Sequence, residues 1–281
     1  MIPGIGSYAL TWAIGVPDWP QPEQPMDAFE LVALAASVNS PLVQLADNVP
    51  LESLSLAELD RLAKTAATAS IRLETGTRGT EPARMERHLA IAERLGARLV
   101  RTLALSPDLD AVHADLAAVL PAYAEKGIAI ALENHGLHRA QALADLILGL
   151  RAALPDAAAC IGCCLDTVNS FGALEGPEPV IAALAPLTLC LHLKEFVIRR
   201  HPHQMGFEII GAPAGSGRLD IPAVIACVRG HAAAQGREMP GIVLEQWVPW
   251  QGTIDATVAL ERSWLSGSLA ALACLPDACN V

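Results

Sequence analysis

A chain of 281 residues, 52% hydrophobic and only 17% charged, carries enough apolar material for one large core. Its formal charge of −11, with no basic stripe, argues against nucleic-acid binding and for a small ligand. No window offers the roughly 20 uncharged apolar residues of a membrane helix, and Pro3 and Gly4 interrupt an N-terminus that lacks the basic start of a cleaved signal.

The seven cysteines are odd in number, and Cys163, Cys164 and Cys190 lie inside apolar runs. Reduced thiols and a cytoplasmic protein are therefore expected. Cys160 and Cys163 form a C-x-x-C with no second pair to complete a zinc ribbon, so they read as ordinary strand residues.

Residues 5–10 read as a first strand, followed by a proline-rich loop (Pro17, Pro20, Pro22, Pro25) and a helix over 26–38. A second strand over 42–46 ends in Asp47 and Asn48. Ser55 and Glu58 form a capping box before an amphipathic helix that runs to about residue 69. A third strand spans 71–74, a helix over 81–95 is closed by Gly96, and a fourth strand covers 99–105. The next helix, over 107–125 with a kink at Pro121, stops at Gly127.

Residues 128–135, IAIALENH, form a fifth strand that ends abruptly in polar residues. A helix over 140–154, a sixth strand over 161–166, a helix over 178–184 and a seventh strand over 188–194 follow. The rhythm breaks at 196–218, which holds Arg199, Arg200, His201 and His203 and reads as a long loop of the lid or binding kind. A helix from near Ile221, an eighth strand over 241–245 and a long helix over 254–272 complete the chain. Short β-rich runs alternating with helices imply a parallel sheet. Eight such units imply closure, so the whole of 1–281 is expected to be a single (β/α)8 TIM barrel domain.

The chemistry lies at four strand ends: Glu133, Asp166, His192 and Glu245, on the fifth to eighth strands. Adjacent strands are about 4.8 Å apart, so four rim residues on consecutive strands can converge on one ion. Each alone is an ordinary salt-bridge partner or core histidine, but together they read as one metal centre. Three carboxylates and one imidazole suit Mn²⁺ best, with Mg²⁺, Co²⁺ or Zn²⁺ as alternatives. Alternation points His135 and Lys194 to the same face, while Glu74 and Gln44 occupy the third and second strands; all four are candidate substrate contacts.

This pattern resembles the xylose-isomerase-like barrel superfamily, the sugar phosphate isomerase/epimerase and endonuclease-IV-type group. The spacing of Glu133, Asp166 and His192 is similar to that of its ketose 3-epimerases, and Gly215-Ser-Gly217-Arg-Leu-Asp220 resembles the family's G-x-G-x-x-D turn. The resemblance implies one divalent ion held by Glu133, Asp166, His192 and Glu245, with the two glutamates doubling as proton-transfer groups. The 3-epimerases place a substrate-binding histidine where this chain has Asn169, and an arginine where it has Ile198, one residue before Arg199. Asn169 and Arg199 are therefore further substrate-binding candidates.

The expected activity is metal-dependent isomerisation or epimerisation of a small polyhydroxy carbonyl compound in sugar metabolism. The ion would stabilise an enediolate, with Glu133 and Glu245 moving the proton. The same site would also serve decarboxylation or dehydration of a 3-oxo sugar acid. By analogy with the family a homo-oligomer is expected. The endonuclease reading fails for want of basic surface and rim histidines.

Overall fold

In the strand segments every second residue is aliphatic and faces helices, while the residues between them face inward. A sheet with this pattern can bury its outer side in a helical layer and close on the other. The computed structural model describes residues 2–203 and 205–275. Eight parallel strands form a closed barrel: β1 (Gly4–Gly6), β2 (Leu42–Leu45), β3 (Arg72–Gly76), β4 (Leu99–Leu103), β5 (Ala129–Glu133), β6 (Ile161–Asp166), β7 (Thr188–Leu193) and, last in the chain, β10 (Gly241–Leu244). The ring closes where β10 pairs with both β7 and β1.

The helices around it are α1 (Thr11–Ile14), α2 (Ala28–Ser37), α3 (Leu56–Thr68), α4 (Pro82–Leu95), α5 (Leu109–Lys126), α6 (Ala140–Ala153), α7 (Pro177–Leu184), α8 (Ile221–Ala234) and α9 (Ile254–Ala273). Their ends follow local chemistry. Asp27 with Glu30 and Ser55 with Glu58 form reciprocal capping boxes. Gly96 and Gly127 end α4 and α5 in the left-handed conformation. In α4, Met85, His88, Leu89, Ala92 and Leu95 recur at helical spacing and are buried against the sheet.

The main core lies between sheet and helices, where Val43, Val100, Ile130, Leu132, Leu165 and Leu191 point outward. A second, small apolar layer fills the barrel itself: Leu42, Leu99, Ala131, Cys164, Cys190 and Val243. Two residues further along the same strands the interior turns polar, with Gln44, Arg101, Glu133, Asp166, His192 and Glu245, all buried. The alternation of the strands thus sets an apolar plug below and a polar chamber above.

Two expected elements differ. The first strand stops at Gly6, because Ser7 turns the chain into a 3-10 turn over Ser7–Leu10. There the Ser7 hydroxyl accepts from the Ala46 amide at 2.9 Å. The 196–218 stretch is not a loop but largely a hairpin, β8 (Glu195–Arg200) paired antiparallel with β9 (Phe207–Ala212). Its base is fixed by Phe196 edge-on to Phe171, with ring centroids 4.9 Å apart, and by Gly211, whose missing Cβ lets the Trp247 backbone approach. Ile198, Phe207 and Ile209 remain exposed on it.

The six described cysteines are free thiols, with Cys163 on the outer face of β6; Cys279 lies outside the described residues. No helix among the described residues is long and apolar enough to cross a membrane.

Candidate active site

Glu133 and Asp166 are the last residues of β5 and β6, His192 is the penultimate residue of β7, and Glu245 follows β10 directly. The strand register pairs Asp166 with His192 and Leu244 with Leu193, so the four side chains meet at one level of the barrel. All four are at most 1% exposed. Nδ1 of His192 lies 3.3 Å from Glu245 Oε1, 3.6 Å from Glu133 Oε2 and 4.0 Å from Asp166 Oδ2. Gly6 makes room for this, since a Cβ there would sit 3.0 Å from the Glu245 Cγ.

Two basic groups flank the cluster. Lys194 places Nζ 2.9 Å from both Asp166 Oδ2 and Glu245 Oε2. Arg101, an inward residue of β4, donates from Nε to Glu133 Oε2 and from Nη1 to Asp47 Oδ1 at 2.9 Å. The remaining oxygen of Glu133 accepts from the Asn169 amide at 2.7 Å. Asp47 in turn accepts from the Tyr8 hydroxyl at 2.8 Å. Burial first, then the neighbouring Asp47 carboxylate, pushes the Tyr8 phenol up to about 12.

The charges answer one another. Burial alone would raise the Glu133 carboxyl, but the Arg101 guanidinium, with His192 and Lys194, outweighs it and holds the group well below its usual range. Glu245 is lowered in the same way, chiefly by His192 and Lys194 against the cost of burial. Burial opposes the charged forms of His192 and Lys194, yet the surrounding carboxylates raise both. Asp166 is raised, because burial and the two glutamates prevail over Lys194.

Within this cluster four buried polar atoms have no hydrogen-bond partner among the described residues: Asp166 Oδ2, His192 Nδ1 and both carboxylate oxygens of Glu245. Lys194 pairs with two of them by charge but not with hydrogen-bond geometry. Ligand atoms of Glu133, Asp166 and His192 lie within 4.8 Å of one another. Unsatisfied buried donors and acceptors aimed at one point are costly unless something completes them. A divalent cation with oxygen and imidazole preference fits this donor set.

The other candidates divide. Asn169 and Lys194 join the cluster, and their side chains meet at 3.3 Å. Gln44 and Glu74 lie inside the barrel, where the Gln44 amide touches His192 and Glu74. His135 is exposed in the turn beyond β5 and shares no side-chain hydrogen bond with the four. The residue next to Glu133 that turns inward is instead Asn134, which bonds the Asp166 backbone through both ends of its amide. Arg199 is exposed on the hairpin opposite Glu208. In the G-x-G-x-x-D turn, Gly217 packs against Glu195, and Asp220 caps α8 through the Ala223 amide.

Arg101, Tyr8 and Asp47 were not among the residues singled out from the sequence. Arg101 had a signal: a lone charge at an inward position of an apolar strand. Trp12, Trp19 and Trp250 form an aromatic cluster, with ring centroids 5.3–5.4 Å apart.

No protein-family model matches the chain. It is 32% identical over 272 residues to the 3-oxo-isoapionate decarboxylase of Pectobacterium atrosepticum, covering 95% of this chain and 93% of that protein. Among solved structures, a D-psicose 3-epimerase from Clostridium cellulolyticum H10, determined with D-tagatose, matches with a TM-score of 0.67 at 16% identity over 97% of each chain. A xylose isomerase-like TIM barrel protein from Mycobacterium smegmatis, determined with magnesium, matches with a TM-score of 0.62 at 16% identity, over 97% of this chain and 98% of that one. These two structural likenesses concern the fold: the closed eight-stranded barrel is that of the xylose isomerase-like TIM barrel proteins. The 32% identity over nearly the full length shows that the chain belongs to the family of the 3-oxo-isoapionate decarboxylase.

Proposed function

We propose that this protein is a divalent-metal-dependent enzyme that removes CO₂ from a 3-oxo sugar acid. The observation that carries this reading is the unequal state of the two glutamates. Glu133 is tied at both oxygens by hydrogen bonds from Asn169 and Arg101, whereas Glu245 accepts no hydrogen bond and has only His192 Nδ1 at 3.3 Å and the Lys194 ammonium at 2.9 Å beside it. Two-sided epimerisation needs two carboxylates free to exchange a proton with carbon. Decarboxylation needs one proton delivered and none removed, which a single mobile group can supply. The 32% identity to a 3-oxo-isoapionate decarboxylase over nearly the whole chain supports the same choice.

Glu133, Asp166, Nδ1 of His192 and Glu245 would hold the ion, Mn²⁺ by preference. When bound, it supplies Lewis-acid polarisation of adjacent substrate oxygens. The chain's own groups do the rest. Arg101 and Asn169 fix Glu133 in one orientation. Lys194, buried among carboxylates that keep it protonated, anchors the substrate carboxylate and holds it out of the carbonyl plane. The C–C bond to that carboxylate breaks, CO₂ leaves, and its electron pair passes into the neighbouring carbonyl. Glu245 Oε2 then passes a proton taken from solvent to the vacated carbon, while Lys194 keeps its charge beside it.

Isomerisation or epimerisation of a neutral sugar remains a second reading. It is favoured by the approach of Glu133 and Glu245 to His192 Nδ1 at 3.6 and 3.3 Å, an arrangement that suits carboxylates on two sides of a substrate. The test is to incubate the Mn²⁺-loaded protein with 3-oxo sugar acids and with ketoses and aldoses in D₂O. CO₂ release from an acid, without deuterium entering any neutral sugar, supports the decarboxylase. Deuterium in a ketose without CO₂ from any acid removes it in favour of the second reading.

A further inference from the structure

Gln44 and Glu74 were expected at the substrate, yet both side chains lie within the barrel on the far side of the His192 ring from the four-residue cluster. Gln44 is fully buried and Glu74 is 6% exposed. Nε2 of His192 meets Gln44 Oε1 at 2.6 Å, and Gln44 Nε2 donates to Glu74 Oε2 at 3.0 Å. An amide has one accepting end and one donating end. With its nitrogen committed to Glu74, Gln44 presents oxygen to the histidine, so His192 must carry its proton on Nε2. In the neutral imidazole that ligation requires, the lone pair then sits on Nδ1, the unpartnered nitrogen that faces Glu133, Asp166 and Glu245. Were the amide reversed, Nδ1 would hold the proton and could not ligate.

We propose that Gln44, oriented by Glu74, is a positioning residue that sets the His192 tautomer for metal binding. This rests on the reading of the four residues as a metal centre. It predicts that the two groups act on the ion through His192 without touching the substrate. Outer partners of a metal-ligating histidine typically change affinity by about 10–100-fold.

The experiment combines calorimetric Mn²⁺ titration with proton NMR of the Co²⁺-loaded protein, in which a ligating imidazole N–H appears as a hyperfine-shifted exchangeable signal. Gln44→Leu should weaken Mn²⁺ binding about 10–100-fold and lose the slowly exchanging signal. Gln44→Glu, which still accepts from Nε2, should restore both. A residue that merely packed would be better replaced by leucine than by a buried carboxylate, so the opposite order overturns the proposal. Glu74→Leu, which frees the amide to reverse, carries the same test if Gln44→Leu does not fold, and wild-type affinity there likewise overturns it. Failure of the wild-type protein to bind Mn²⁺ is a different result: it removes the metal centre itself, and the proposal with it.

Discussion

Arg101 on β4 and Glu133 on the neighbouring β5 are joined inside the barrel by a buried ion pair, and the same guanidinium reaches Asp47 at the end of β2. One cation therefore neutralises the fully buried Glu133 and the partly buried Asp47. Replacing Arg101 by Met leaves Glu133 without its ion-pair partner, while Asp47 keeps Arg78. Loss of one partner of a buried pair costs about 3–5 kcal/mol, so Arg101→Met should lose stability of that order in urea unfolding of the metal-free protein. Arg101→Lys should recover part of it, since a lysine can meet one carboxylate but not bridge two in a fork.

Lys194 tests the substrate class. In Lys194→Met the cation between Asp166 and Glu245 is gone. The expected result is a KM for the 3-oxo acid raised by about tenfold or more, the loss of one charge-assisted contact, with Mn²⁺ affinity equal to or tighter than wild type. Steady-state kinetics and metal titration on the same preparation separate the two effects.

Glu245→Gln removes the proposed proton carrier while keeping the shape of the side chain. General acid catalysis contributes about 10²–10⁴ in rate, and kcat for CO₂ release should fall by that factor with the circular dichroism spectrum unchanged. Unaltered turnover would take Glu245 out of the mechanism.

Away from the site, Glu261 on α9 accepts from the backbone amides of Trp12 and Ala13 at 2.8 and 2.9 Å and is 1% exposed. Burial raises its carboxyl to about 7 against the lowering effect of those amides. A carboxyl raised on folding keeps its proton in the native state after the unfolded chain has lost it. Its contribution to stability is thus complete below the unfolded value near 4.5 and declines as pH rises to about 7. The stability difference between wild type and Glu261→Gln should drift by roughly 1–3 kcal/mol across that window and be flat above it. Denaturant midpoints taken at several pH values read this directly.

Metal loading should be visible without any substrate. At a free Mn²⁺ concentration a hundredfold above Kd the native state gains about 2.7 kcal/mol. The melting temperature should rise accordingly, fall back with EDTA, and respond far less in Asp166→Asn.

Much of the barrel could be read from the chain because its signals are local. The sixth strand carries β-rich residues bounded by a proline turn and an aspartate, and Ile161–Asp166 matches its expected bounds. Ser55 with Glu58 and the two closing glycines mark helix ends through chemistry confined to a single turn. The N-terminal strand was overextended because what turns the chain at Ser7 is a contact with Ala46 and Asn48, remote in sequence. The hairpin was missed because its arginines, histidines and glycine outweighed the alternation visible in Glu195–Arg200 and Phe207–Ala212.

The site divides on the same lines. Strand ends showed where Glu133, Asp166, His192 and Glu245 lie. Alternation past the end of a strand misplaced His135, because the backbone leaves β geometry after Glu133 and Asn134 turns inward to bind the Asp166 backbone. Arg101 was passed over as one charge in an apolar strand, since its partners lie on β5 and beyond β2.

The layer of Leu42, Leu99, Ala131, Cys164, Cys190 and Val243 closes the lower end of the barrel. The chamber is therefore a cul-de-sac with a single doorway. On the proposed decarboxylation, substrate, CO₂ and product would all share it, and the larger product would be the one that blocks the entrance. That product should then inhibit competitively against the acid.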